Sequence, residues 1–293
     1  MLYQIKNEFF EVTIDSLGAE LKSIKYQGIE YLHDSDPKYW GRSAPYLFPN
    51  IGAIKDKYTI FDGKEYPLTK HGFLRDIHME CVSQDEDSIT FRVTDNKYTH
   101  GLYPFAFEII VNYELTANAV VASIEVINNS NEAMPFNFGL HPAFKVPRYD
   151  GEKYEDYIIK FSSPVSANLA SVNLTNGLVD YENPARSVRN LESFNLNHSD
   201  FANDALVFDG IDLDKVQLIA PNGEIVTLET HGFKTLGIWS PYPVEAPFVC
   251  IEPWIGCADA PKSNHEFVTK KDLITLKPNE KWSTTYQISI KKD

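Results

Sequence analysis

Short runs of alternating apolar and polar residues, broken by Asn, Gly, Asp and Ser, fill most of this chain. That rhythm restricts it to antiparallel β architecture before any other property is considered. Residues 9–14, 89–93, 107–115 and 120–127 each alternate with the period of a half-buried strand. Asp62-Gly63 and Asn222-Gly223 supply hairpin turns; strand-like residues 216–220 precede the second and 224–228 follow it. Helical patterns are few and short, no βαβ alternation occurs and no internal repeat is visible. A succession of hairpins of this kind predicts a large antiparallel sandwich whose concave face suits an extended or sugar-sized ligand.

The chain has 293 residues and no Pro/Gly/Ser-rich linker, so a single unit over 1–293 is expected, as large β-sandwiches and barrels often reach this length. A net charge of −14 argues against nucleic acid or an anionic membrane surface as partner, because both require clustered Lys and Arg. No stretch approaches the length of a membrane-spanning helix. The first ten residues carry acidic and polar breaks where a secretory signal needs an unbroken apolar core, which leads us to expect a cytoplasmic location. Cys81, Cys250 and Cys257 show no Cys-x-x-Cys spacing and read as reduced thiols.

One carboxylate stands out. Glu252 lies in Pro247-Phe248-Val249-Cys250-Ile251-Glu252-Pro253-Trp254, near the end of an apolar run with the character of a buried strand. Desolvation there raises a carboxyl pKa toward the range useful in proton transfer, although many such carboxylates are merely paired with an amide or an Arg. Two histidines strengthen the catalytic reading: His71 in Lys70-His71-Gly72-Phe73-Leu74-Arg75-Asp76 and His141 in Phe138-Gly139-Leu140-His141-Pro142-Ala143-Phe144. Each sits among glycine and aromatic residues, and two imidazoles with one carboxylate can shuttle protons.

Three further residues are candidates for substrate binding. Arg42, in Trp40-Gly41-Arg42-Ser43, could donate to a ligand hydroxyl or pair with a structural carboxylate. Asp204 could accept from hydroxyls or serve an Asx-turn at a strand start. Trp239 is the ring preferred for stacking on a sugar face, while most of the other aromatics belong to the core. No His-x-His, His-x-x-x-His or Cys-x-x-Cys pair supports a metal site, and there is neither a Gly-x-Ser-x-Gly elbow nor a phosphate-binding glycine loop. Metal, nucleotide and other cofactors are therefore not expected.

Together these segments resemble the aldose 1-epimerase (galactose mutarotase) family, and within it the LacX-like branch. The resemblance runs through Leu17-Gly18-Ala19-Glu20-Leu21, Arg42-Ser43-Ala44-Pro45-Tyr46-Leu47-Phe48-Pro49, the His71 and His141 motifs and Cys250-Ile251-Glu252-Pro253-Trp254. It implies a β-supersandwich and cofactor-free interconversion of the α and β anomers of a free hexose such as galactose or glucose. It further implies that Glu252 is the general base at the C1 hydroxyl, that His141 protonates the ring oxygen, and that His71 binds and polarises a sugar oxygen. Asp204 matches the family's hydroxyl-binding aspartate. The better-known branch carries an Arg shortly before the Asp-Gly hairpin, and Gly52-Ala53-Ile54-Lys55-Asp56-Lys57 has none; Arg42 and Lys55 are the candidates to replace it. A hexose-6-phosphate 1-epimerase is the alternative if Arg42, Lys55, Arg75 or another cation converges on the site, and a non-catalytic carbohydrate-binding protein is a third reading. Monomer and homodimer are both compatible with the sequence, since an exposed edge strand could pair with a second copy.

Overall fold

The computed structural model describes residues 1–229 and 231–292, and these are almost entirely β. A 15-stranded sheet dominates. Its path starts at the short edge strand Tyr46–Leu47 and passes through Phe138–Leu140, Phe248–Ile255, Thr235–Trp239, Leu206–Asp209 and Ile158–Leu169. It continues through Lys215–Ile219, Ile225–Glu229, Lys281–Lys291, Ala119–Asn128, Phe107–Leu115 and Ser88–Thr94 to Glu80–Gln84. Ala143–Lys145 pairs beside Phe248–Ile255, and Arg186–Asn195 beside Ile158–Leu169. Every pairing between these strands is antiparallel.

The expected strands occur where alternation marks them. Phe107–Leu115 and Ala119–Asn128 turn every second side chain into the core, and they pair in unbroken register from Phe107 opposite Asn128 to Leu115 opposite Val120. A one-residue slip would expose Ile109, Val111 and Ile124, which fixes the register. Both hairpin turns form. Asp62 and Gly63 have φ of 46° and 70°, the left-handed pair that a two-residue type I′ turn needs, and they join Tyr58–Phe61 to Lys64–Pro67. At the second, the Gly223 amide donates to Ala220 O (3.0 Å) and Gly223 takes φ 89°.

A separate four-stranded sheet, Leu2–Lys6, Phe10–Asp15, Glu20–Tyr26 and Ile29–Glu30, folds onto the large one. Its apolar side joins the same core cluster. The Tyr113 hydroxyl donates to Ala19 O (2.8 Å) and also meets that of Tyr46 (2.8 Å), which in turn meets that of Tyr286 (3.0 Å). These three fully enclosed phenols satisfy one another, so the junction carries no orphaned hydroxyl. One four-residue α-helix, Lys97–His100, and short 3-10 turns are the only helical elements among the described residues. Among the described residues no helix is long and apolar enough to cross a membrane.

Candidate active site

Phe248–Ile255 is buried on both faces through Trp254, in keeping with its continuous apolar run. On one side it pairs with Thr235–Trp239, placing Gly237 opposite Glu252. On the other it pairs with Phe138–Leu140, where Gly139 faces Trp254, and with Ala143–Lys145, where Ala143 faces Cys250. The two stretches share one register, so His141 falls opposite Glu252 in the gap between them. Pro253, with no N–H to donate, lies in that gap, and the Ile251 amide donating to Pro142 O (3.2 Å) keeps the two strands together across it. The result is a direct cross-strand contact: His141 Nε2 and Glu252 Oε2 are 3.0 Å apart.

His71 reaches the same place from a loop. Its backbone is left-handed, with φ 68°, and so is that of Gly72, where a Cβ would come within 2.1 Å of Phe48 O. Only glycine can fill position 72, and the tight turn it makes aims His71 at the cleft. The Gly52 amide donates to His71 Nδ1 (3.1 Å), while the His71 amide donates to Gly52 O (3.0 Å). A neutral His71 accepting at Nδ1 must carry its hydrogen on Nε2, which leaves that nitrogen as a donor. The His71 and His141 rings meet edge to face at 5.5 Å.

Aromatic rings hold His141. Trp40 stacks on its imidazole at 4.6 Å with planes 27° apart, and Trp239 meets it edge-on at 5.9 Å. His141 Nδ1 is buried with no hydrogen-bond partner among the described residues, so these rings and Glu252 fix its orientation. All of these groups line one cleft of about 220 Å³, equal to the liquid volume of roughly seven waters and of the scale of a monosaccharide.

Burial sets the electrostatics. It pushes the Glu252 carboxyl well above the ordinary carboxylate range; Asp204 adds to that, while Lys70 and the Trp254 indole oppose it. Burial also holds both imidazoles well below the ordinary histidine range, helped by His141 and Arg75 at His71 and by Arg75 and Lys70 at His141. Each member of the Glu252–His141 pair is thus driven toward its neutral form, and the pair holds one proton between them. His141, Cys250 and Glu252 have ligand atoms within 4.8 Å of one another and form the one such cluster among the described residues. The Cys250 thiol is pushed upward by burial and by Glu252, and it lies outside the cleft lining.

Of the residues singled out from sequence, Glu252, His141, His71, Asp204 and Trp239 converge on this cleft. Asp204 has φ 69° and lines the cleft, and its Oδ1 accepts from the adjacent Ala205 amide (2.7 Å), one residue short of the Asx-turn bond considered from sequence. Arg42 does not reach the cleft lining. Its guanidinium donates to Asp76 (2.5 Å) and Arg75 O (3.1 Å), the structural pairing that its sequence context left open. Lys55 is also elsewhere, donating to Ser263 O (2.8 Å). The cations on the wall are Lys70 and Arg75, which flank His71 on the same loop. Sequence reading offered Arg75 as a candidate cation for the site and missed Lys70, although their spacing around His71 was a usable signal. It also missed the Ser171–Val172/Val179–Asp180 hairpin, whose Val172, Gly177 and Val179 close the cleft from a distant part of the chain.

Solved structures share this architecture. An X-ray structure of a galactose mutarotase related enzyme from Lactobacillus acidophilus superposes with a TM-score of 0.92 at 34% identity, covering 100% of this chain and 98% of that one. A galactose mutarotase-like protein from Lactobacillus casei ATCC 334 gives a TM-score of 0.88 at 28% identity, with 99% and 100% covered. Fold and cleft together define a galactose mutarotase-like β-sandwich. The aldose 1-epimerase family model matches residues 1–289, and the plasmid-encoded LacX protein of Lactococcus lactis subsp. lactis is 31% identical over 99% of both chains. This chain belongs to the aldose 1-epimerase family.

Proposed function

We propose that the protein is an aldose 1-epimerase that interconverts the anomers of a free hexose such as galactose or glucose. The observation that carries this reading is the buried cross-strand pair of Glu252 and His141, 3.0 Å apart in a sugar-sized cleft. Moving the shared proton from carboxyl to imidazole arms both groups at once, as carboxylate base and imidazolium acid. Glu252 takes the C1 hydroxyl proton while His141 protonates the ring oxygen. The C1–O5 bond breaks, leaving an open-chain aldehyde, a neutral carboxyl and a neutral imidazole, the form burial favours. Rotation about C1–C2 and closure return both protons. His71 donates from Nε2 to a sugar oxygen, Asp204 accepts from hydroxyls, and Trp239 offers a ring face. Mutarotation already proceeds in water, so positioned acid–base transfer, worth about 10²–10⁴-fold for each group, is sufficient chemistry.

The test is optical rotation of freshly dissolved α-galactose and α-glucose with and without protein; faster decay toward equilibrium supports the reading, and no acceleration with any aldose refutes it. A second reading, a hexose-6-phosphate 1-epimerase, is favoured by Lys70 and Arg75 on the cleft wall, because paired cations suit a phosphate. NMR exchange on glucose 6-phosphate separates the two. Lys70→Ala should lower the ratio of phosphorylated to free-sugar kcat/KM if this second reading holds.

A further inference from the structure

Trp254 lines the cleft beside Glu252, and the proposed reaction gives it no task. It stands two residues after Glu252 on the same strand, so both side chains leave one face of the sheet. Room for its indole is cut from the flanking strands. A Cβ at Gly139 would lie 2.7 Å from Trp254 Cδ1, and one at Gly237 would lie 2.7 Å from both Cη2 and Cζ2. Those distances are far inside the 3.5–4.0 Å of ordinary carbon contact. The ring is therefore wedged between two glycines, one on each neighbouring strand, and has little freedom to turn.

That wedge fixes where the indole nitrogen sits. Nε1 is buried and has no hydrogen-bond partner among the described residues, although the ring lines the cleft. An indole N–H can only donate, and leaving one buried without an acceptor is unfavourable. Glu252, two residues earlier on the same face of the strand, offers the carboxyl, and the Trp254 side chain draws it downward against the effect of burial.

We propose that Trp254 is the positioning residue of Glu252: its N–H, aimed by the two-glycine slot, orients the carboxylate and favours the ionised form that can accept a proton. The proposal rests on Glu252 being the base. In the resting pair the carboxyl is neutral and the N–H is unpaired; when the proton moves to His141, the N–H bonds to the new carboxylate, because a charged acceptor holds a donor more strongly.

Trp254→Phe keeps an aromatic ring in the slot and deletes the N–H. The alkaline limb of kcat/KM, where the pair gives up its proton, should move to higher pH by roughly one unit, with about a tenfold loss on the plateau below it. A purely structural role would lower kcat evenly across pH, together with the melting temperature, and an unmoved limb in a folded variant overturns the proposal. If the variant does not fold, wild-type protein labelled at indole ¹⁵N answers instead: the Trp254 N–H resonance should titrate with the midpoint of the alkaline limb, and a resonance constant through that range overturns it. Glu252→Gln separates the levels. Full activity there removes the base itself, whereas loss there with an unmoved Trp254→Phe limb removes only the role of Trp254.

Discussion

Glu252→Gln should abolish turnover and yet stabilise the fold at neutral pH. Glutamine is nearly isosteric, so the substitution leaves no cavity beside Trp254, and its amide can still hydrogen-bond His141 Nε2 across the 3.0 Å contact. What disappears is an ionisable group only 2% exposed, with no Lys or Arg within 4 Å among the described residues. Its folded-state pKa is raised, so below pH ~4.3 the carboxyl is protonated in both states and adds no pH dependence. As pH rises above that value the unfolded chain releases its proton and the folded one retains it. Wild-type stability then declines by up to about 1.4 kcal/mol for each pH unit until the raised pKa is reached. The Gln variant escapes this decline. Its melting temperature should match the wild type near pH 4 and exceed it at pH 7, by about 2 °C for each kcal/mol in a chain of this size. Mutarotation should fall at least 10²-fold in polarimetry. Scanning calorimetry at pH 4.5, 6 and 8 beside that assay checks both. A variant that is active, or no more stable relative to wild type at pH 8 than at pH 4.5, refutes the argument that Glu252 is a desolvated base.

His71→Asn should raise KM and lower kcat, because the Nε2 donor fixed by the Gly52 amide is lost; unchanged kinetics would make His71 structural. Trp40→Ala should lower kcat and move the His141-dependent limb to higher pH, since water reaching the imidazole relieves the burial that holds its pKa down, and Trp40→Phe should restore most of both. Gly237→Ala should destabilise by about 1–3 kcal/mol through overpacking against the Trp254 ring, read as a drop of several degrees in thermal melting; a neutral result would mean the slot has slack.

Strand content was legible because alternation is local: residues 107–115 match an observed strand end to end, and the Asp62-Gly63 turn follows from its two positive φ values. Glu252, His141 and His71 were legible for a different reason. Each polar group stands in an apolar and aromatic setting, a local conflict that marks either a paired core group or a site. The outcome for Arg42 turned on Asp76, thirty-four positions away in the chain, and nothing in the Arg42 segment encodes that partner. Lys70 and Arg75 took effect through the left-handed turn at His71-Gly72, which folds both sides of one loop onto the cleft wall. The hairpin carrying Val172 and Val179 could not be placed from sequence, since it forms its own two-stranded sheet and is tied down by the Val179 amide donating to Asp259 O (2.9 Å), far along the chain.

The acid–base pair owes its spacing to strand register and its surroundings to loops. Neighbouring strands hold a separation of about 4.8 Å whatever the loops do, so the contact between His141 and Glu252 is set by the most invariant dimension of the fold. The walls come from the 69–76 loop and the 171–180 hairpin, which can change in length and sequence without disturbing that dimension. Under the proposed function, such a division would let the walls be exchanged to alter which sugar is accepted while the Glu252–His141 spacing stays fixed by the sheet.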